Sequence, residues 1–160
     1  MATNLSLYTV GTLTGEEARE AVAWRYGGEY AVYNFPDWAE CAARGWSITD
    51  AAKRENAYFS VRYAGSFLGF FHIMDRPGHV ELGVGIKPEL CGQGHGYALM
   101  ESALETIRQT RGHTPVQLAV RTFNVRAVRC YERAGFTITD KRYEDLGTAP
   151  SEMFIMQTVV

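Results

Sequence analysis

The chain has 160 residues, the length of one compact domain. That is long enough to bury roughly 68–70% of the surface of its unfolded form without help from disulfides. Hydrophobic residues make up 46% and charged residues 21%, ordinary globular values. A net charge of −2 leaves no basic stripe of the kind a nucleic-acid binder uses against phosphates. The three cysteines, Cys41, Cys91 and Cys130, are odd in number and lack CxxC spacing, which argues against a disulfide framework or a zinc site. The opening MATNLSLYTV has neither a positive n-region nor an apolar h-region and is read as no signal peptide. No apolar run reaches the roughly 18 residues a membrane span needs. The expected compartment is the cytoplasm.

Leu5–Val10 reads as a short first strand. Thr14-Gly15-Glu16-Glu17 has the form of a capping box, with Thr14 as N-cap and Glu17 reaching back, so a helix is predicted over roughly 15–25. Residues 26–46 are aromatic and irregular, punctuated by Gly27, Gly28 and Pro36. Ser47–Arg54 reads as a second short helix. The period then changes to two: Phe59, Val61 and Tyr63 alternate with Ser60 and Arg62. Phe67–Met74 returns after the turn at 64–66, and Val80–Ile86 follows the turn at 75–78, which makes an antiparallel meander. From Gly96 the period is helical, with Leu99, Met100, Ala103, Leu104 and Ile107 on one face and Gly112 placed to end the helix. Val116, Leu118 and Val120 alternate as a strand; Asn124 can cap a further helix and Gly135 can close it. Phe136–Tyr143 and Met153–Val160 are the last two strands. The order β-α-α-β-β-β-α-β-α-β-β predicts a mixed α/β (α+β) sheet with helices packed on it, in one domain over 1–160.

The run from Ile86 to Gly96 joins a strand to a helix. Gly92, Gly94 and Gly96 alternate just before the helical period begins. Glycine permits positive φ and close approach of the backbone to a ligand. The amides so exposed lie at a helix N-terminus, where the macrodipole favours an anion. Residues alone leave two readings open, a pyrophosphate site or a tight strand-to-helix turn. The loop lacks the GK[ST] end of a P-loop and the spacing and βαβ setting of a dinucleotide fold.

Val84-Gly85-Ile86-Lys87-Pro88, followed by Cys91-Gly92-Gln93-Gly94-His95-Gly96, resembles the signature of the GNAT superfamily of N-acetyltransferases. That signature is a strand ending in a V-x-V-x-P-like segment and then [RQ]-x-x-G-x-[GA]. Cys91 stands where arginine or glutamine is usual, at a position where the family contributes a main-chain amide more than a side chain. Glu81-Leu82-Gly83 resembles the opening of the branch that acetylates ribosomal-protein amino termini. A second stretch, with Asn124, Ala127, Tyr131 and Gly135-Phe136, is similar to the family's other motif: an asparagine caps a helix, a tyrosine further along faces the cofactor sulfur, and Gly-Phe opens the next strand.

The resemblance implies an N-acetyltransferase that moves an acetyl group from acetyl-CoA to a primary amine by direct attack in a ternary complex. It assigns cofactor binding to Val84, Gly85, Ile86, Cys91, Gly92, Gln93, Gly94, His95, Gly96, Tyr97, Asn124 and Tyr131. The main-chain groups of Val84 and Ile86 serve the pantetheine arm, and the Val84 amide is the candidate oxyanion donor. Tyr131 is the candidate acid; without the motif it reads as a buried helix tyrosine. Glu81 is the candidate base, against the alternative of a carboxylate paired with an arginine or lysine of a neighbouring strand. His79 and His72 are weaker bases, and a nucleophilic cysteine is disfavoured because no base adjoins Cys41 or Cys130. Trp24, Tyr26, Tyr30, Tyr33, Phe35 and Trp38 either wall an acceptor cleft or pack helices on the sheet, with Tyr30 and Tyr33 the expected substrate contacts. The expected partner is a small amine or a peptide N-terminus, not nucleic acid or membrane. Residues 153–160, read as an exposed edge strand, are the candidate surface for a homodimer. The alternative reading from another class is a non-catalytic acyl-CoA-binding or regulatory module on the same fold.

Overall fold

The structure is a computed structural model and describes residues 5–144 and 150–160. The first four residues of the stretch read for a signal peptide therefore lie outside the described residues. The strands are β1 (Tyr8–Thr12), β2 (Tyr58–Tyr63), β3 (Ser66–Arg76), β4 (His79–Ile86), β5 (Pro115–Arg121), β6 (Thr137–Glu144) and β7 (Ser151–Val159). The helices are α1 (Gly15–Ala23), α2 (Trp38–Ala43), α3 (Ala51–Ala57), α4 (His95–Arg111) and α5 (Val125–Arg133). The strands form one sheet in the order β1-β2-β3-β4-β5-β7-β6. β4 and β5 pair in parallel, through Val80–Val116 and Glu81–Gln117. A parallel neighbour requires a crossover, and α4 supplies it. The mixed α/β class expected from the sequence is the one observed. The chain divides into two compact units, one holding residues up to His72 with Val84–Gln93, the other Ile73–Gly83 with Gly94 onward.

In the first unit, Thr14 caps α1 as its sequence predicts: its Oγ1 accepts from the Glu17 amide at 3.1 Å, and Glu17 accepts from the Thr14 amide at 3.1 Å. The Glu17 carboxylate also accepts from Ser60 Oγ at 2.8 Å and from Arg62 Nε at 3.1 Å, which ties the start of α1 to β2. The core of this unit gathers Leu13, Ala18, Val22, Trp24, Cys41, Ile48, Tyr58 and Phe70. Three expectations are corrected here. Leu5–Leu7 is a 3-10 turn, so β1 starts at Tyr8. The segment read as irregular contains a 3-10 helix at Gly28–Tyr33 and a short extra helix, α2, started by Asp37 accepting from the Glu40 amide at 2.8 Å. The helix read over Ser47–Arg54 begins later, because Asp50 is its N-cap and accepts from the Ala52 and Lys53 amides. The element order thus gains one helix over the expected one.

In the second unit, α4 buries Ala98, Leu99, Met100, Ala103, Leu104 and Ile107, the stripe its period predicts, and ends at Gly112 with φ 72°. Val116, Leu118 and Val120 of β5 are buried, as are Met153, Ile155 and Met156 of β7. The expectation that residues 153–160 form an edge is overturned. β7 pairs antiparallel with both β5 and β6, so that Gln157 has Gln117 as its partner on one side and Thr137 on the other. The edge at this end of the sheet is β6, whose residues Thr137–Tyr143 are all exposed. Among the described residues no helix is long and apolar enough to cross a membrane.

The Glu17 network carries a pH dependence. Burial alone would raise the Glu17 pKa, but the Thr14 amide, Ser60 and Arg62 outweigh it and hold the carboxyl below its ordinary value. A depressed folded-state pKa contributes stability that is present above the unfolded value and lost as pH falls through the folded one. Urea unfolding followed from pH 7 down to pH 3 should therefore show the wild type losing more stability below about pH 4.5 than Glu17→Gln does.

Candidate active site

The sequence-predicted residues divide between the two units. The first unit holds Val84, Gly85 and Ile86 at the end of β4, then Cys91, Gly92 and Gln93, together with Tyr30 and Tyr33. At Gly85 an added Cβ would lie 2.6 Å from Cε1 of the Phe70 ring, so only glycine lets β4 pass under that ring undisturbed. The peptide between Ile86 and Lys87 is held on both sides. Its N–H, from Lys87, donates to the Leu68 carbonyl of β3 at 2.9 Å, and its carbonyl, from Ile86, accepts from the Tyr26 hydroxyl at 2.6 Å. Burial pushes the Tyr26 phenol well above its ordinary pKa, with the charges of Cys91 and Glu89 adding to the effect, so Tyr26 stays a donor. The Lys87 ammonium pairs with Glu20 at 3.3 Å, and Glu20 also accepts from Trp24 Nε1 at 3.1 Å.

Beyond Lys87 the chain makes a 3-10 turn over Pro88–Leu90. The Cys91 amide closes that turn on the Pro88 carbonyl at 3.3 Å. The Cys91 thiol points back to the Ile86 and Lys87 carbonyls at 3.8 and 3.6 Å, and Gln93 Nε2 donates to the Glu89 carbonyl at 2.7 Å. Tyr30 and Tyr33 lie on the 3-10 helix with their rings stacked, centroids 6.5 Å apart. His72 stacks on Tyr58 at 3.9 Å, and the Tyr58 hydroxyl shares a 2.7 Å hydrogen bond with Ser47.

The second unit holds Gly94, His95, Gly96, Tyr97, Asn124, Tyr131 and Glu81. Gly92 and Gly94 have φ of 76° and 86°, the left-handed region that favours glycine. Gly94 is the N-cap of α4 and has no side chain with which to cap it. Its first-turn amides belong to His95, Gly96 and Tyr97. They point along the positive end of a 17-residue helix and can meet an anion. The Arg133 guanidinium lies 4.1 Å over the Tyr97 ring. Asn124 caps α5, its Oδ1 accepting from the Ala127 amide at 3.2 Å. Tyr131, seven residues on, is half-buried, with its ring 6.3 Å from that of Phe136. The Tyr131 carbonyl accepts from the Ala134 and Phe136 amides, which turns the chain from α5 into β6. Burial pushes the neighbouring Cys130 thiol above its ordinary pKa, the opposite of an activated nucleophile. Glu81, on β4 beside Gln117 of β5, accepts from Arg76 Nε at 2.8 Å, the partner type that the alternative reading of this carboxylate named. Sequence reasoning missed the Tyr26–Ile86 bond; its partners lie 60 residues apart and nothing local marks them.

A mixed sheet with a glycine-cornered strand-to-helix junction after its fourth strand places the chain in the α/β class. Residues 16–136 match the acetyltransferase (GNAT) family, so this chain belongs to that family. By sequence it is 36% identical over 105 residues to a mycothiol acetyltransferase of Salinispora tropica, a match covering 57% of this chain and 34% of that protein. It is 30% identical over 139 residues to a mycothiol acetyltransferase of Thermobispora bispora, covering 78% of this chain and 45% of that protein. The matches thus span less than half the length of these curated relatives. By structure it resembles the spermidine N-acetyltransferase of Vibrio cholerae, solved with CoA and spermine, at a TM-score of 0.77 and 18% identity over 96% of each chain. It also resembles the ribosomal-protein-S18-alanine N-acetyltransferase of Escherichia coli, at a TM-score of 0.66 and 17% identity over 96% of this chain and 94% of that one.

The close approach at Gly85 yields a test within the first unit. Gly85→Ala should cost about 1–3 kcal/mol in urea unfolding, because the added methyl meets the buried Phe70 ring. Adding Phe70→Leu should return part of that loss, and additive losses in the double variant would contradict the packing account.

Proposed function

We propose that this chain is an acetyl-CoA-dependent N-acetyltransferase that transfers the acetyl group to a primary amine by direct attack in a ternary complex. The observation that carries the proposal is the pairing, in a GNAT-family chain, of an uncapped α4 start behind positive-φ glycines with an Asn124-capped α5 that presents Tyr131. A pyrophosphate suits the first feature. Its charge is met by oriented amides and a helix dipole, and glycine keeps side chains out of the approach. The amides assigned to it are those of Gln93, Gly94, His95 and Gly96. Cys91 and Gly92 shape the turn that aims them, and Tyr97 flanks it.

Acetyl-CoA supplies the acetyl group as a thioester, which an amine can attack directly. The Val84 amide is assigned to hold the charge that develops on the carbonyl oxygen, a contribution of about 3–4 kcal/mol where such a donor has been removed elsewhere. Ile86 offers pantetheine its amide, since its carbonyl already accepts from Tyr26. The Tyr131 hydroxyl donates to the departing sulfur. A phenol pKa of about 10 against about 8.5 for a thiol makes complete transfer roughly 2 kcal/mol uphill, so a hydrogen bond that strengthens as the C–S bond breaks is the economical role. Glu81 takes the proton released by the amine nitrogen; its ion pair with Arg76 orients the carboxylate. Tyr30 and Tyr33 provide the aromatic surface for the acceptor, a small amine or a peptide N-terminus. The compartment proposed is the cytoplasm.

A screen for thiol release from acetyl-CoA over amines and peptide N-termini tests the activity. Binding of acetyl-CoA without turnover by any of them would favour the non-catalytic module instead. Gly94→Val should abolish acetyl-CoA binding measured by isothermal titration, because valine disfavours a φ of 86°, whereas Cys91→Ala should bind within about threefold of wild type. Tyr131→Phe should lower kcat at least about tenfold with little change in cofactor affinity; an unchanged kcat removes Tyr131 from the chemistry.

A further inference from the structure

We infer that Tyr26 is a positioning residue that couples the loop of residues 28–34, which carries Tyr30 and Tyr33, to the strand end that receives the cofactor. The inference rests on the cofactor reading above. Its basis lies wholly within the first unit.

Asn34 clamps the main chain of Tyr26 with two hydrogen bonds: its Oδ1 accepts from the Tyr26 amide at 2.7 Å, and its Nδ2 donates to the Tyr26 carbonyl at 3.3 Å. These bonds close residues 26–34 into a ring whose interior is the 3-10 helix with the stacked Tyr30 and Tyr33. The ring is tethered at one end by the Tyr26 side chain, whose hydroxyl makes the short 2.6 Å bond to the Ile86 carbonyl. That carbonyl belongs to the peptide whose N–H is bonded to Leu68, so one peptide plane is gripped by β3 on one side and by the loop on the other. In an extended strand the N–H and C=O of one residue point to the same side, and those of the next residue to the opposite side. Lys87 faces β3, so the Ile86 amide and carbonyl both face away from it. The Tyr26 hydroxyl therefore sits on the side of β4 to which the Ile86 amide is directed. The Glu20 carboxylate adds a second tie, from Trp24 Nε1 at the end of α1 to Lys87 Nζ.

A ligand that orders the Ile86 amide must also steady the neighbouring peptide, and through Tyr26 the ring that carries Tyr30 and Tyr33. Coupling of this kind is reciprocal: an acceptor that orders the ring would prepare the strand end for the cofactor. Cofactor and acceptor affinities then rise together through the protein, beyond what the contact of amine with thioester itself contributes.

Hydrogen exchange of the full chain, with and without saturating acetyl-CoA, tests this. In wild type, acetyl-CoA should slow exchange several-fold over residues 84–96 and over residues 28–34. Tyr26→Phe retains the ring and loses the hydroxyl; it should keep the slowing at 93–96 and lose it at 28–34. Asn34→Ala leaves the hydroxyl in place and opens the ring; it should do the same. Protection in wild type confined to 84–96, or loop protection that survives both substitutions, overturns the coupling. Absence of protection in both segments of the wild type overturns the cofactor reading itself, and the coupling with it.

Discussion

The structure depends on one transition, from the end of β4 to the start of α4 within the eight residues 87–94. A strand satisfies its main-chain groups sideways and a helix satisfies its own along the axis. The first amides of a helix are left over at any such junction. Here the N-cap is a glycine with no side chain to offer. A 3-10 turn consumes the Cys91 amide, glycines at φ of 76° and 86° reverse the chain, and α4 begins at His95. An N-terminus of this kind carries about half an elementary charge. Residues 88–96 contain no lysine or arginine, so the positive potential at this junction comes from the main chain.

The strand end that feeds this junction is held with more care than its length demands. Gly85 lies under Phe70, the Lys87 amide joins β3, the Ile86 carbonyl is taken by Tyr26, and the Lys87 ammonium is taken by Glu20. None of these contributes much singly; a hydrogen bond nets about 1 kcal/mol. Their joint effect is on precision, because together they fix the peptide planes at the end of β4. The same residues join helix α1 and the aromatic loop to the strand.

Much of the local structure was legible in the residues. The Thr14–Glu17 capping box, the Asn124 cap, the apolar stripe of α4, the glycine that ends it and the meander all lie where their patterns place them, since each is decided by neighbours within a few positions. Short helices escaped the reading. α2 has six residues and too few turns to show a period, although Asp37 and Glu40 in hindsight mark its start. The helix expected over Ser47–Arg54 is a 3-10 turn at Ser47–Thr49 followed by α3, which starts only where Asp50 caps it.

What the sequence by itself determined is the set of elements with strong local signals and the glycine-cornered helix start, because backbone sterics and capping act within one turn of chain. Only tertiary structure decided the rest. β7 lies between β5 and β6 rather than at the rim, since its edge groups can be satisfied on both sides and no pattern of alternation says by which strands. Glu81 chose Arg76 across a hairpin, and Tyr26 found a carbonyl 60 residues away. A hydrogen bond between distant residues leaves no trace in the order of the residues; it exists only once the sheet has brought them together.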